Sequence, residues 1–266
     1  MELIDTHCHI DLPVFDADRS EILTRCRASG ISRIVVPGVA AKTWGRLQEI
    51  CATTPGLYAS FGLHPIYLEQ HGSEDVDALQ QQIQQHRPVA VGEIGLDFYL
   101  AELDRKRQQA LFEDQLAVAA HNQLPVLLHV RKSHDAVLAC LRRSAVQGGI
   151  CHAFNGSLQQ AGNYLELGFK LGFGGMLTYE RSHKLQRLAK QLPLEAIVLE
   201  TDAPDMTGAS HQGQRNSPEY LPECLQALAA IRGEDADDIA AQTTANAEGV
   251  LKLPATATTA TAERTL

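Results

Sequence analysis

Short apolar runs recur along the chain, and the longer stretches between them carry a helical rather than a strand period. Eight runs read as strands: Glu2–Thr6, Arg33–Pro37, Leu57–Gly62, Val89–Ile94, Pro125–Val130, Gly149–Phe154, Phe169–Gly174 and Ala196–Thr201. Because each is followed by an amphipathic segment long enough to cross over, the pattern predicts repeated βα units around a parallel sheet. Arg105–Asn122 is one such segment, with Ala110, Leu111, Gln115, Ala117, Val118 and Ala119 on the side expected to face inward. Helix starts are expected after Ser73, Ser157 and Ser217, the last reinforced by Pro218 at the first helical position and Glu219 beside the positive end of the helix dipole. Eight strands with intervening helices predict α/β architecture of one kind: a single (β/α)8 TIM barrel over residues 1–254. Such barrels build their active sites at the C-terminal end of the strands. The closing stretch, residues 255–266, lacks both caps and period and is read as a disordered tail.

Composition narrows the function classes. At 266 residues with 44% hydrophobic and 21% charged positions, the chain has the makeup of an ordinary globular domain. A net charge of −9 argues against a strongly basic nucleic-acid-binding surface. It leaves room for a nuclease, because bound divalent cations would supply positive charge where a phosphate sits. The opening residues have no basic segment followed by an apolar one, so no signal peptide is expected. No apolar run approaches the ~20 residues needed to span a bilayer. Six cysteines without CxxC spacing are read as reduced thiols in a cytoplasmic protein, expected to be monomeric.

Laid over the strands, the chemistry-bearing side chains collect at one end. His7 and His9 follow strand one, His64 follows strand three, Glu93 lies near the end of strand four, His129 ends strand five, His152 nears the end of strand six, and Asp202 follows strand eight. A lone histidine at a strand end is usually a hydrogen-bonded structural residue. Glu93 within Gly92-Glu93-Ile94 is a stronger signal, since a carboxylate in an apolar strand needs a cation or a full set of donors. The pair His7 and His9, two apart on extended chain, points to one side and can reach one metal ion. His7, His9, Glu93, His129, His152 and Asp202 are therefore the expected metal ligands. Imidazole with carboxylate suits Zn, Mn, Ni or Fe and also accepts Mg.

These residues sit in stretches that resemble the TatD family of metal-dependent deoxyribonucleases, within the amidohydrolase-like TIM barrels. The stretches are Asp5-Thr6-His7-Cys8-His9, Phe61-Gly62-Leu63-His64-Pro65, Gly92-Glu93-Ile94-Gly95-Leu96-Asp97, Leu128-His129-Val130-Arg131, His152-Ala153-Phe154-Asn155-Gly156 and Leu199-Glu200-Thr201-Asp202-Ala203-Pro204. The resemblance implies two divalent cations, one among His7, His9, Glu93 and Asp202 and the other among Glu93, His129 and His152, with Glu93 bridging. It also implies that His64 contacts the substrate phosphate and that Asn216 lies on a substrate-side loop. Asn216 has turn chemistry as its simpler reading. The chain departs from the family at Val130, often Ser, and at Ala153, often Cys or Gly, which bears on substrate preference rather than on metal binding. Arg131 could neutralise phosphate or merely face solvent at a helix start.

The implied activity is a 3'-5' exonuclease-like deoxyribonuclease. It would act on single-stranded DNA through a metal-bound hydroxide, with Asp202 handling the proton and Glu93 joining the ions. The strand ends hold no serine or cysteine nucleophile that would form a covalent intermediate. An alternative in the same fold is an amidohydrolase or a lactonase or esterase acting on a small molecule, though many of those bridge their metals with a carboxylated lysine where this chain has Glu93. A metal-binding scaffold without activity fits poorly with a complete ligand set. Cys8 should point away from the ligands into the packing, and His134, His183 and His211 are read as surface residues.

Overall fold

Parallel strands wound around an axis bury both faces, and the strand sequences show it: in β4 (Ala90–Asp97) every residue is buried. In the computed structural model, which describes residues 1–253, the other strands are β1 (Leu3–Asp5), β2 (Ile31–Pro37), β3 (Leu57–Phe61), β5 (Val126–Arg131), β6 (Gly149–Cys151), β7 (Phe169–Phe173) and β8 (Ile197–Leu199). They form one eight-stranded sheet in sequence order, each neighbouring pair parallel. The first and last strands meet through Thr6 N–H donating to the Leu199 carbonyl (3.1 Å) and Asp202 N–H donating to the His7 carbonyl (2.8 Å). The expected TIM barrel is the fold observed. Residues 255–266, read as a disordered tail, lie with Pro254 outside the described residues.

Helices α1 (Arg19–Ala28), α2 (Trp44–Thr53), α3 (Asp75–His86), α4 (Arg105–His121), α5 (His134–Arg143), α6 (Leu158–Glu166), α7 (His183–Gln191) and α8 (Leu221–Arg232) surround the strands, and α9 (Ala236–Leu251) follows. The core divides accordingly. The larger cluster packs outward-facing strand residues such as Val36, Phe61, Ile94 and Leu128 against the helices. The smaller one fills the barrel with Ile4, Val35, Ala90, Leu127, Ile150 and Val198, and α9 closes it from below with Ala247 and Leu251. With that end plugged, polar residues entering the barrel axis must do so from the other rim.

Several local expectations need correction. The buried side of α4 is formed by Gln108, Phe112, Gln115, Leu116, Val118 and Ala119, while Ala110 and Ala117 face solvent. Ser157 caps α6 in a reciprocal capping box with Gln160. Ser73 and Ser217 make no side-chain cap: Asp75 accepts from Gly72 N–H instead, and Pro218–Tyr220 is a single 3-10 turn that leads into α8. His134 is buried (8% exposed), because its ring is hydrogen-bonded between Tyr164 and Asn155. His183 is exposed, and His211 is half-buried, stacked on Tyr220 and bonded to Glu223.

Candidate metal centre

Strand alternation alone would not bring Glu93 inside. Ala90 points into the barrel and Val91 outward, so strict alternation sends position 93 outward. The register of β4 against β5 shifts between Val91 and Ile94, and this irregularity reverses the phase, so that Ile94 and Leu96 face the helices while Glu93 and Asp97 face the axis. On β5 the phase needs no shift, since Leu127 is inside, Leu128 outside and His129 inside. Gly95 makes the approach of the two strands feasible: at φ 147° its backbone passes so near β5 that a Cβ would lie 2.0 Å from the His129 carbonyl oxygen.

The structure gathers all six expected ligands around Glu93. Its Oε2 lies 3.1 Å from His7 Nε2 and 3.7 Å from His9 Nε2, while Oε1 lies 3.1 Å from His129 Nδ1, 3.2 Å from His64 Nε2 and 3.8 Å from His152 Nε2. Asp202 closes the ring, with Oδ1 3.6 Å from His7 and 3.7 Å from His9 and Oδ2 3.9 Å from His152. Three overlapping triads, His7–Glu93–His152, His7–His9–Asp202 and His64–Glu93–His129, each hold their ligand atoms within 4.8 Å of one another. The donor set fits divalent ions well, for it is anionic oxygen and imidazole nitrogen aimed at shared points from rigid strand ends.

Two carboxylates outside the predicted set fix the imidazoles. Asp97 Oδ2 accepts from His129 Nε2 at 3.0 Å, which leaves Nδ1 toward Glu93. Glu200 Oε1 accepts from His152 Nδ1 at 3.2 Å and from Ala153 N–H at 2.6 Å, which leaves Nε2 toward the cluster. Carboxylate–histidine pairs of this kind set the tautomer and orientation of metal-binding imidazoles. Asp97 had a sequence signal, an acid four residues after Glu93 on the same strand; Glu200 lies just past β8, beside Asp202 with φ 57°, where strand alternation gives no guide. Asp5 joins the barrel's seam, accepting from Thr201 N–H (3.0 Å), Thr201 Oγ1 (2.5 Å) and His7 N–H (3.2 Å), and burial pushes its carboxyl up to about 8.

The clustered groups shift one another's proton affinities. Burial opposes the ionised form of Glu93, but His64, His7 and His129 outweigh it and hold the carboxyl well below its usual range. Burial likewise disfavours charge on His152, yet Asp202, Glu200 and Glu93 prevail and lift it to about 10. His129 is raised in the same way by Asp97 and Glu93 against its burial. Burial raises Asp202.

His64 differs from the other imidazoles. Its Nδ1 accepts from Ile66 N–H at 3.1 Å, so the neutral ring carries its proton on Nε2 and donates it toward Glu93. Burial pushes its pKa down to about 4, which keeps it neutral. It is a donor facing the cluster. Arg131 stands at the rim of the cleft above the cluster, half-exposed, its guanidinium 3.8 Å from the Tyr99 ring centroid and 3.9 Å from Asp97. The cleft has a volume of about 440 Å³. Asn216 is not brought to it: the side chain is buried, with Nδ2 donating to the carbonyls of Thr201 (2.8 Å) and Asp205 (2.6 Å) and Oδ1 accepting from Ser217 N–H (2.8 Å). Its amide holds the loop after β8, with both N–H donors consumed by that loop. Cys8 is fully buried in the outer core, as alternation implies.

The sequence model of the TatD related DNase family matches residues 4–252. The chain is 42% identical over 240 residues to YjjV, a metal-dependent hydrolase of Escherichia coli K12, covering 89% of this chain and 93% of that one. It is 32% identical over 251 residues to the 3'-5' ssDNA/RNA exonuclease TatD of Klebsiella pneumoniae, covering 92% and 95%. The crystal structure of the Escherichia coli YjjV protein superposes with a TM-score of 0.91 at 40% identity, over 95% of this chain and 98% of that one. With the ligand cluster in place at the rim of the barrel, the chain belongs to the TatD family of metal-dependent hydrolases.

Proposed function

We propose that the protein is a deoxyribonuclease that trims single-stranded DNA from its 3' end, with two divalent cations in the cluster. The observation that carries this reading is the division of Glu93: one carboxylate oxygen faces His7 and His9, and the other faces His129, His64 and His152. A carboxylate so placed suits a bridge between two ions. His7, His9 and Asp202 complete one site, and His129 and His152 the other. Ions held there supply Lewis acidity and lower the pKa of water.

The chain's own residues do the rest. Asp202, at the cleft wall with both oxygens toward the cluster, orients the attacking water and takes its proton. His64 donates its Nε2–H to a non-bridging phosphate oxygen, which a neutral ring in a buried site can do without repelling the cations. Arg131 is the one Lys or Arg among the described residues lining the cleft, placed for the phosphate or its neighbour. The naming of a relative as a ssDNA/RNA exonuclease supports the substrate class.

The test is cleavage of an end-labelled single-stranded oligonucleotide by protein supplied with Mg, Mn or Zn, beside a panel of esters and amides. Glu93→Ala and Asp202→Asn should each lower phosphodiester cleavage by more than about a hundredfold, given the several kcal/mol that metal-centred charge stabilisation contributes. Unchanged cleavage in either variant refutes the site. Hydrolysis of esters or amides alone would instead favour a small-molecule hydrolase.

A further inference from the structure

Beside the catalytic cleft, between β6, β7 and β8, lies a second cavity of about 170 Å³ that the proposed chemistry does not use. It shares Ala153, Asn155, Asp202 and Met206 with the cleft, so the two are adjoining rooms with Asp202 in the common wall. Its lining is otherwise mainly apolar: Phe154, Phe173 and Leu177 are buried, and Met176 and Leu185 stand nearer the surface. One water needs about 10–15 Å³ of such space, so the chamber has room for roughly ten times that, enough for a single flat ring system but not for a nucleotide with its phosphate.

Asn155 supplies a polar contact at the shared wall. Its Oδ1 accepts from His134 Nε2 at 3.2 Å, and because that oxygen can only accept, the imidazole proton lies on Nε2. His134 Nδ1 then accepts from the Tyr164 hydroxyl at 3.3 Å. Burial holds His134 below its ordinary pKa, so the ring stays neutral and the arrangement persists at neutral pH. Asn155 is thereby held with no acceptor for its Nδ2 among the described residues.

We infer that this chamber seats the terminal nucleobase of the strand being cleaved, its π face against the apolar wall and an acceptor on its edge bonded to Asn155 Nδ2, while the phosphate lies at the metal cluster next door. Every base carries an edge acceptor, so a single donor on an apolar wall accepts all four, as an exonuclease that trims any sequence requires. Ala153, where the family often has Cys or Gly, stands at the doorway. The inference rests on the phosphodiesterase reading.

It is tested with two oligonucleotides alike except for the 3'-terminal nucleotide, one natural and one abasic. Wild-type protein should cleave the natural end with a kcat/KM higher by about tenfold or more, the scale of stacking one base on a protein wall. Leu185→Trp, which fills the chamber, should narrow that ratio toward one, and Asn155→Ala should narrow it a few-fold. Met176→Trp repeats the filling from another wall should Leu185→Trp fold poorly. A second readout is the fluorescence of 2-aminopurine placed at the 3' end behind an uncleavable phosphorothioate: binding to the wild type should change it, and the filling variants should abolish the change. Equal cleavage of the two ends by the wild type, or a ratio unmoved by both filling variants, overturns the base assignment while leaving the nuclease intact. Cleavage of neither oligonucleotide overturns the phosphodiesterase reading and the chamber's role with it. Sensitivity of an ester series to the filling variants would identify an acyl group as the occupant instead.

Discussion

Gln115 on α4 is only 1% exposed, and its amide serves a single backbone residue: Oε1 accepts from Leu63 N–H at 2.7 Å and Nε2 donates to the Leu63 carbonyl at 3.1 Å. Gln115→Met keeps the length and approximate volume but removes both bonds. Leu63 then retains a buried donor and a buried acceptor without partners, each worth about 1–3 kcal/mol. We therefore expect a loss of about 2–6 kcal/mol, well above the ±0.5 kcal/mol typical of surface changes. At about 2–4 °C per kcal/mol for a protein of this size, the thermal midpoint should fall by roughly 4–24 °C. The measurement is thermal or urea unfolding of metal-free protein, with the exposed Gln81→Met as a control expected to change nothing. Because Leu63 precedes His64, the variant should also raise KM for an oligonucleotide. A stability within about 0.5 kcal/mol of wild type would show that the clamp is not holding the strand end.

Three further outcomes follow from the same structure. A Cβ on Gly172 would lie 2.1 Å from Glu200 Oε2, so Gly172→Ala should displace the carboxylate that orients His152 and weaken metal binding by about 10–100-fold in calorimetric titration; unchanged affinity would refute that orienting role. His152, raised to about 10, and His129, also raised, must lose protons before their free nitrogens can bind an ion. Affinity should thus climb as pH rises from 6 toward 9, with protons released on binding, and a flat profile would contradict the charge balance described above. Burial raises the thiols of Cys26 and Cys51 to about 12 and Cys140 to about 11, and all six cysteines are free, so a thiol reagent should modify the native protein slowly and the denatured one at six sites.

The barrel could be read from the sequence because its strands repeat one simple pattern, an apolar run bounded by turn residues, and eight repeats leave few alternatives. The six clustered residues are readable for a related reason: polar side chains at the ends of apolar strands conflict with local preference, and such conflicts mark function. Polar groups whose partners are distant in sequence are not legible in this way. Gln108 and Gln115 sit on the buried side of α4, where their composition suggests solvent, and only the strand ends they clamp explain them. His134 reads as a surface residue in the sequence because nothing nearby in the chain announces Tyr164 or Asn155. Asn216 was expected on the substrate side, and its neighbours in sequence do not show that its amide is consumed by Thr201 and Asp205. The bulge in β4 has no composition signal either, since it is a matter of register between two strands.

The seam between β1 and β8 also bears on synthesis. Thr201 is tied to Asp5 across 196 residues, and the same contact brings Asp202 beside His7 and His9. At the ribosome's pace of about 5–20 residues per second, the first ligands emerge roughly 10–40 s before their partner. A nascent or truncated chain therefore carries two histidines and no complete coordination sphere. On the proposed two-cation reading, metal capture would mark a chain whose barrel has closed, and no half-made hydrolase would carry a complete centre.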